Sequence, residues 1–192
     1  MFEFIEVLSK ELQDRFSSSS KSFSFKKGIN LLVGENGCGK STLFDILCDA
    51  EKMIASGEIN FKVSSEFSFR SLRLQDQGKN RNLGGIQDSD VYRFTLESHF
   101  RSHGQTNWPL LKTLESFKGK MSILYDEPEQ ALDFDKMMQF REILRKKSRL
   151  KQFVIATHHP ALITMKGINI INMSKDPDYV DKLLTGYRTL FV

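Results

Sequence analysis

Apolar and acidic residues alternate from Phe2 to Val7, the period-two pattern of a strand with one buried face. Phe23 and Phe25 predict a second short strand, with the serines at 17 to 20 forming a solvated turn before it. Ile29 to Val33 is a short apolar run that stops at Gly34 and predicts a buried strand. Beyond it Leu43, Ile46, Leu47, Ala50 and Ile54 recur at helical spacing, and Gly57 is placed to end that helix. Period two returns in Ile59, Phe61 and Val63, then Phe67 and Phe69, then Leu72 and Leu74. From Gln75 to Asp90 the chain is polar and glycine-rich and reads as a long loop. Tyr92 to Phe100 predicts a helix, as do Leu110, Leu111, Leu114 and Phe117, with Pro109 in or near the first turn of the second.

The second half repeats the alternation of strand and helix. Met121 to Tyr125 is a continuous apolar run, the signature of a central parallel strand, and it ends in Asp126, Glu127 and Pro128. Asp133 to Lys146 predicts a helix with Met137, Phe140, Ile143 and Leu144 inward. Phe153 to Ala156 predicts a short buried strand leading into Thr157, His158, His159 and Pro160, Ile168 to Ile171 a last strand, and Tyr179 to Leu184 a terminal helix. The whole is an α/β pattern: a mostly parallel sheet with helices on both faces.

Composition narrows this picture. With 192 residues, 40% hydrophobic and 27% charged, the chain can fill the core of one domain, 1–192, without staples. No apolar run approaches the roughly 20 residues of a membrane span, and the N-terminal stretch carries acids where a signal peptide would be basic and then apolar. A soluble, cytoplasmic protein is expected. Cys38 and Cys48 lack metal-ligand spacing, so no structural zinc is expected, and Cys38 reads as a small loop residue. A net charge of +4 permits an acidic partner such as nucleic acid without requiring one. The 16 phenylalanines mostly occupy strand positions and serve the core.

Candidate chemistry starts at Gly34 to Thr42, GENGCGKST, between a predicted strand and a predicted helix. This is the phosphate-binding P-loop in its required context. Glycines let the backbone N–H groups of Gly34, Glu35, Asn36, Gly37, Cys38 and Gly39 converge on phosphate oxygens, and the following helix adds its positive dipole end. Lys40 then holds the β- and γ-phosphates, and Ser41, followed by Thr42, sits on Mg²⁺. Asp126 and Glu127, adjacent at a strand end, can divide two tasks, one toward the metal and one toward the attacking water. Ligands of parallel sheets bind at the carboxyl ends of strands. The P-loop, Asp126-Glu127 and His158 should therefore meet at one edge. His159 is taken as an ordinary surface or core histidine.

In that order the motifs resemble the ABC-type ATPases, and more closely the small soluble ones related to SMC and recombination-repair ATPases, over almost the whole chain. The resemblance implies an N-terminal antiparallel β portion and a reduced helical subdomain at about 76–118. ILYDEPEQALD resembles Walker B running into the D-loop at Leu132 and Asp133, so that Asp126 would hold Mg²⁺ through water and Glu127 would be the general base. IATHHP resembles the switch-histidine motif, which places His158 near the γ-phosphate. RSHGQ resembles a degenerate LSGGQ signature that keeps Ser102, Gly104 and Gln105 but has Arg101 and His103 in place of leucine and glycine. In the family this segment touches the ATP of a second subunit in a head-to-tail dimer. Gln75, with Gln77 as substitute, fits the family's metal-contacting glutamine, and Phe16 is one guess for the adenine contact.

The implied activity is hydrolysis of ATP with Mg²⁺ by an ATP-dependent homodimer that acts as a switch on nucleic acid or on a nuclease-like effector protein. The basic run from Arg145 to Lys151 suits that partner, although it also reads as a solvated helix end. A second reading is the nucleotide-binding subunit of a membrane transporter. The short interval from Lys40 to Ser102 counts against such a membrane partner. A third is a regulatory module that binds ATP with little turnover, against which Glu127 argues.

Overall fold

The mainly apolar runs become the middle of a parallel sheet, while the alternating ones divide between a separate antiparallel sheet and an outer strand of the parallel one. The computed structural model describes residues 1–18, 20–63, 69–73, 122–129 and 132–190. Among these, β1 (Phe2–Val7), β2 (Ser22–Ser24) and β4 (Ile59–Val63) pair antiparallel in the order β2-β1-β4. β3 (Ile29–Val33), β5 (Phe69–Arg73), β6 (Ser122–Asp126), β7 (Gln152–Ala156) and β8 (Asn169–Asn172) run parallel in the order β5-β6-β7-β3-β8. The expected α/β class and the expected antiparallel portion are both present.

Every residue of β3, β6 and β7 is buried, which requires cover on both faces of the sheet. The pleat divides their side chains. Leu32, Leu124, Val154 and Ala156 join a cluster with Phe2, Ile5 and Val7 of β1 and with Leu43, Phe44, Ile46 and Leu47 of α2 (Lys40–Cys48). Their neighbours Leu31, Val33, Ile123, Tyr125, Phe153 and Ile155 face the other way. There they meet Met137, Phe140, Ile143 and Leu144 of α4 (Phe134–Lys147), Leu162 and Ile163 of α5 (Pro160–Ile163), and half-buried Val180, Leu183 and Leu184 of α6 (Tyr179–Leu190). Full burial of each such side chain contributes about 1.5–3 kcal/mol, so the central strands are firmly held between the two clusters.

One buried amide ties the two sheets together. Gln152, at the start of β7, accepts from the Phe2 N–H at 2.8 Å and the Ser122 hydroxyl at 2.7 Å, and donates to the carbonyls of Phe2 (2.8 Å) and Lys26 (2.9 Å). All its hydrogen-bonding capacity is used, which makes its burial affordable.

Several expectations need correction. The single helix predicted beyond the P-loop is two, because Asp49 (φ −104°, ψ 18°) leaves helical geometry between α2 and α3 (Ala50–Ala55). Ile54 consequently lies 46% exposed instead of inward. Ser18 is buried within what was expected to be a solvated turn, and its carbonyl accepts from the Lys21 ammonium at 2.9 Å. A four-residue helix, α1 (Lys10–Gln13), was not anticipated. Lys151 is only 2% exposed, so the basic run is solvated at Arg145 and Lys146 but not at its end. α6 continues past Leu184 to Leu190. The expected loop and helices between Gln75 and Phe117, with Phe67, Leu74 and Met121, lie outside the described residues.

Candidate functional site

The register of the sheet brings three strand ends level. Leu32 pairs with Ala156, and Ala156 with Asp126, so β3, β7 and β6 finish side by side. At a strand spacing of about 4.8 Å, everything that leaves these ends lies within reach of one small ligand. The predicted convergence of the P-loop, Asp126-Glu127 and His158 is what the sheet delivers.

From β3 the chain turns through Gly34 to Gly39 into α2. Gly39 caps that helix in the left-handed conformation (φ 101°, ψ 11°), and Gly37 is left-handed as well (φ 78°). No side chain caps α2, and its first turn carries no acidic residue, which leaves its N-terminal dipole open to an anion. Lys40 is 7% exposed; its ammonium donates to the carbonyls of Gly34 (2.8 Å) and Glu35 (2.9 Å) and lies 3.8 Å from Cys38 Sγ. Glu35 is held in turn by the Ser174 hydroxyl at 2.7 Å. Burial pushes the Cys38 thiol up against the opposing pull of Lys40, so it is a packed loop residue and not a reactive thiolate.

A methyl group at Gly39 would lie 2.7 Å from Phe16 Cδ1 and 2.9 Å from the Arg15 carbonyl, besides needing a positive φ. Gly39→Ala should therefore destabilise the fold by more than the about 1–2 kcal/mol of the backbone alone, seen as a lower denaturation midpoint. An unchanged midpoint would show that the loop is not held this way. Phe16 is 5% exposed and packs against Phe23 at 5.3 Å, beneath the loop; it offers no open face for adenine.

At the end of β6, Asp126 is 9% exposed. Glu127 stands at φ +47°, a left-handed conformation in a non-glycine residue that also precedes a proline, while its N–H reaches the Ala156 carbonyl at 2.9 Å. Such geometry costs on the order of 1–3 kcal/mol and persists where the surroundings over-determine it. The Glu127 carboxylate faces the segment that follows β7: Oε1 is 3.7 Å from His158 Nε2, close but beyond a hydrogen bond. Burial holds the His158 imidazole below its ordinary pKa, the Lys40 charge acts in the same direction, and Glu127 opposes both. The ring is thus neutral near pH 7, able to donate or accept. His159 caps α5 by accepting from the Ala161 N–H at 3.1 Å, a structural task.

Two participants had gone unassigned. Glu129 Oε1 accepts from the Thr157 hydroxyl and from the His158 N–H at 3.1 Å, and burial raises its pKa. Tyr187, on α6, donates to the His158 carbonyl at 2.8 Å. The expected D-loop residues follow directly: Leu132 N–H donates to the Glu129 carbonyl at 3.0 Å, and Asp133 caps α4 by accepting from the Lys136 N–H at 2.9 Å. Gln75, Gln77, Ser102, Gly104 and Gln105 lie outside the described residues.

The donor set fits a nucleotide and its magnesium. Buried Lys40 beside the uncapped start of α2 suits phosphates, whereas the Cys38 N–H, expected to face them, donates to the Glu35 carbonyl at 3.3 Å. Among the described residues no group of three or more His, Cys, Asp or Glu side chains forms a metal cage; Mg²⁺ needs none, since phosphates and water complete its octahedron around a hydroxyl and a carboxylate such as Ser41 and Asp126. No helix among the described residues is long and apolar enough to cross a membrane.

A family described as an AAA domain matches residues 15–184. No curated protein sequence matches. A solved structure titled as the ATP binding subunit of an ABC transporter superposes with a TM-score of 0.55 at 15% identity, covering 100% of both chains. The ADP conformation of MJ1267, an ATP-binding cassette of an ABC transporter, gives 0.52 at 14% identity, covering 100% of this chain and 98% of that one. At these identities the likeness is one of fold.

Proposed function

The chain belongs to the AAA-domain family and has the fold of an ABC-type P-loop ATPase, and from that premise we propose that it binds ATP with Mg²⁺ and hydrolyses it. The observation that carries this reading is the placement of Glu127 Oε1 3.7 Å from His158 Nε2, on strand ends level with the P-loop. The loop N–H groups and Lys40 bind the phosphates, and Ser41 and Asp126 hold the metal. Mg²⁺ when bound neutralises phosphate charge. Glu127 takes the proton of the attacking water, and the neutral His158 hydrogen-bonds at the γ-phosphate. A phosphoanhydride needs little beyond such positioning and charge stabilisation.

The finer reading is a head-to-tail homodimer in which Ser102, Gly104 and Gln105 of one subunit complete the site of the other, and which switches a nucleic acid or an effector protein. Support comes from the net charge of +4 and the exposed basic turn at Arg145 and Lys146. Steady-state ATP turnover at several protein concentrations, with and without DNA or RNA, tests it. Turnover rising faster than linearly with protein and stimulated by nucleic acid is expected. Linear turnover indifferent to nucleic acid would reject the switch and favour the transporter-subunit reading; a chain that binds ATP without turning it over is the regulatory module.

A further inference from the structure

His158 follows the last residue of β7 by two positions, where ladder hydrogen bonds no longer hold the main chain. Both polar groups of its backbone are nevertheless occupied by side chains. Its N–H donates to Glu129 Oε1 at 3.1 Å and its carbonyl accepts from the Tyr187 hydroxyl at 2.8 Å, partners that lie 29 residues away in either direction. Separations of that size exclude a local turn or cap as the reason. Of the imidazole, by contrast, Nε2 is buried without a hydrogen-bond partner among the described residues, and Glu127 at 3.7 Å is too far to supply one. The two main-chain hydrogen bonds therefore place the ring through its backbone, from which the side chain departs. Glu129 reinforces this by also accepting from the Thr157 hydroxyl, which accepts in turn from the His159 N–H at 3.0 Å. The turn from 157 to 159 is thereby tied to the segment that follows β6.

We infer that Glu129 and Tyr187 are positioning residues that clamp His158 from its two sides, so that turnover depends on them while nucleotide binding does not. The inference rests on the hydrolysis reading of the site. Each acts through His158, Glu129 on its N–H and Tyr187 on its carbonyl. A displacement of about 1 Å in a catalytic group costs on the order of a hundred-fold in rate, and the clamp is what prevents that displacement. Because Tyr187 belongs to α6, the C-terminal helix becomes part of the site's geometry without contributing to its chemistry.

The test uses Glu129→Ala, Glu129→Gln and Tyr187→Phe in the full chain, each alone and combined with His158→Ala. ATP affinity, kcat and the exchange rate of the His158 amide proton are measured. Glu129→Ala and Tyr187→Phe should lower kcat roughly ten- to hundred-fold with Kd unchanged, and Glu129→Ala should accelerate exchange of the His158 amide. Glu129→Gln keeps a carbonyl acceptor and should preserve both the amide protection and most of the turnover. In the His158→Ala background neither clamp variant should slow the enzyme further, since residues that act through one another do not add. Additive losses, a loss in Kd in place of kcat, or wild-type amide protection in Glu129→Ala would overturn the clamp. Tyr187, half-buried on α6, provides the variant that folds if Glu129→Ala does not. Absence of turnover in the wild-type chain refutes the hydrolysis reading alone, and amide exchange in Glu129→Ala against Glu129→Gln then decides the clamp.

Discussion

Lys40→Ala should abolish binding of Mg²⁺-ATP while leaving the protein folded. Lys40 is 7% exposed and sits at the start of α2, its ammonium directed into the loop by the carbonyls of Gly34 and Glu35. No acidic side chain in the first turn of α2 competes with a phosphate for this charge. Hydrogen bonds from a charged donor contribute about 1.5–3 kcal/mol each, so loss of two phosphate contacts weakens binding by about 3 kcal/mol or more, upward of a hundred-fold in Kd. The ammonium also donates to the Gly34 and Glu35 carbonyls and lies 3.8 Å from Cys38 Sγ, so its loss loosens the loop, while the buried strands β3, β6 and β7 keep the chain folded. Calorimetric titration checks the affinity and circular dichroism the fold. Near-normal affinity would remove the P-loop assignment and the proposed function with it.

Much of this site could be read from the sequence because its parts are local in the chain. The P-loop is fixed by residue types at fixed spacing, and the mainly apolar runs at Ile29–Val33 and Met121–Tyr125, broken only by Asn30 and Ser122, announce strands buried on both faces, so the acids that end the second run had to emerge at a sheet edge. The spacing of Met137, Phe140, Ile143 and Leu144 set α4 and its inward face, all four being buried. Other features had no local signature. Apolar spacing runs unbroken across Asp49, whose departure from helical dihedrals shifts the phase and turns Ile54 outward. Lys151 looked like one more solvated charge in a basic run, but tertiary packing takes it inside. Phe16 was a free choice among aromatics until its contact with Phe23 and Gly39 put it beneath the loop. Glu129 and Tyr187 act on His158 across 29 residues each, a relation that no window of sequence displays. α1 and α5, at four residues each, are too short to register a helical period.

Glu127→Gln should bind ATP with wild-type affinity, stop turning it over, and accumulate the ATP-bound dimer of the proposed cycle. Glutamine has nearly the size and shape of glutamate, and the feature that aims this side chain belongs to the backbone: φ +47° before Pro128, with the N–H on the Ala156 carbonyl at 2.9 Å. The substitution therefore changes the chemistry of the head group and little else. An amide cannot take a proton from water near neutral pH, and a positioned general base contributes about 10²–10⁴-fold to rate, so kcat should fall by that factor. Affinity should hold, because the phosphate contacts come from the P-loop and not from β6. His158 makes the comparison sharper. Its ring is already held neutral by burial and by Lys40, with Glu127 opposing; removing the carboxylate leaves the ring neutral at pH 7, so loss of turnover cannot be assigned to a change in its charge. Single-turnover kinetics with Mg²⁺-ATP, together with size-exclusion chromatography, provide the check. If Glu127→Gln hydrolyses ATP at the wild-type rate, Glu127 is not the base, and the water must be activated by another group at the same edge of the sheet.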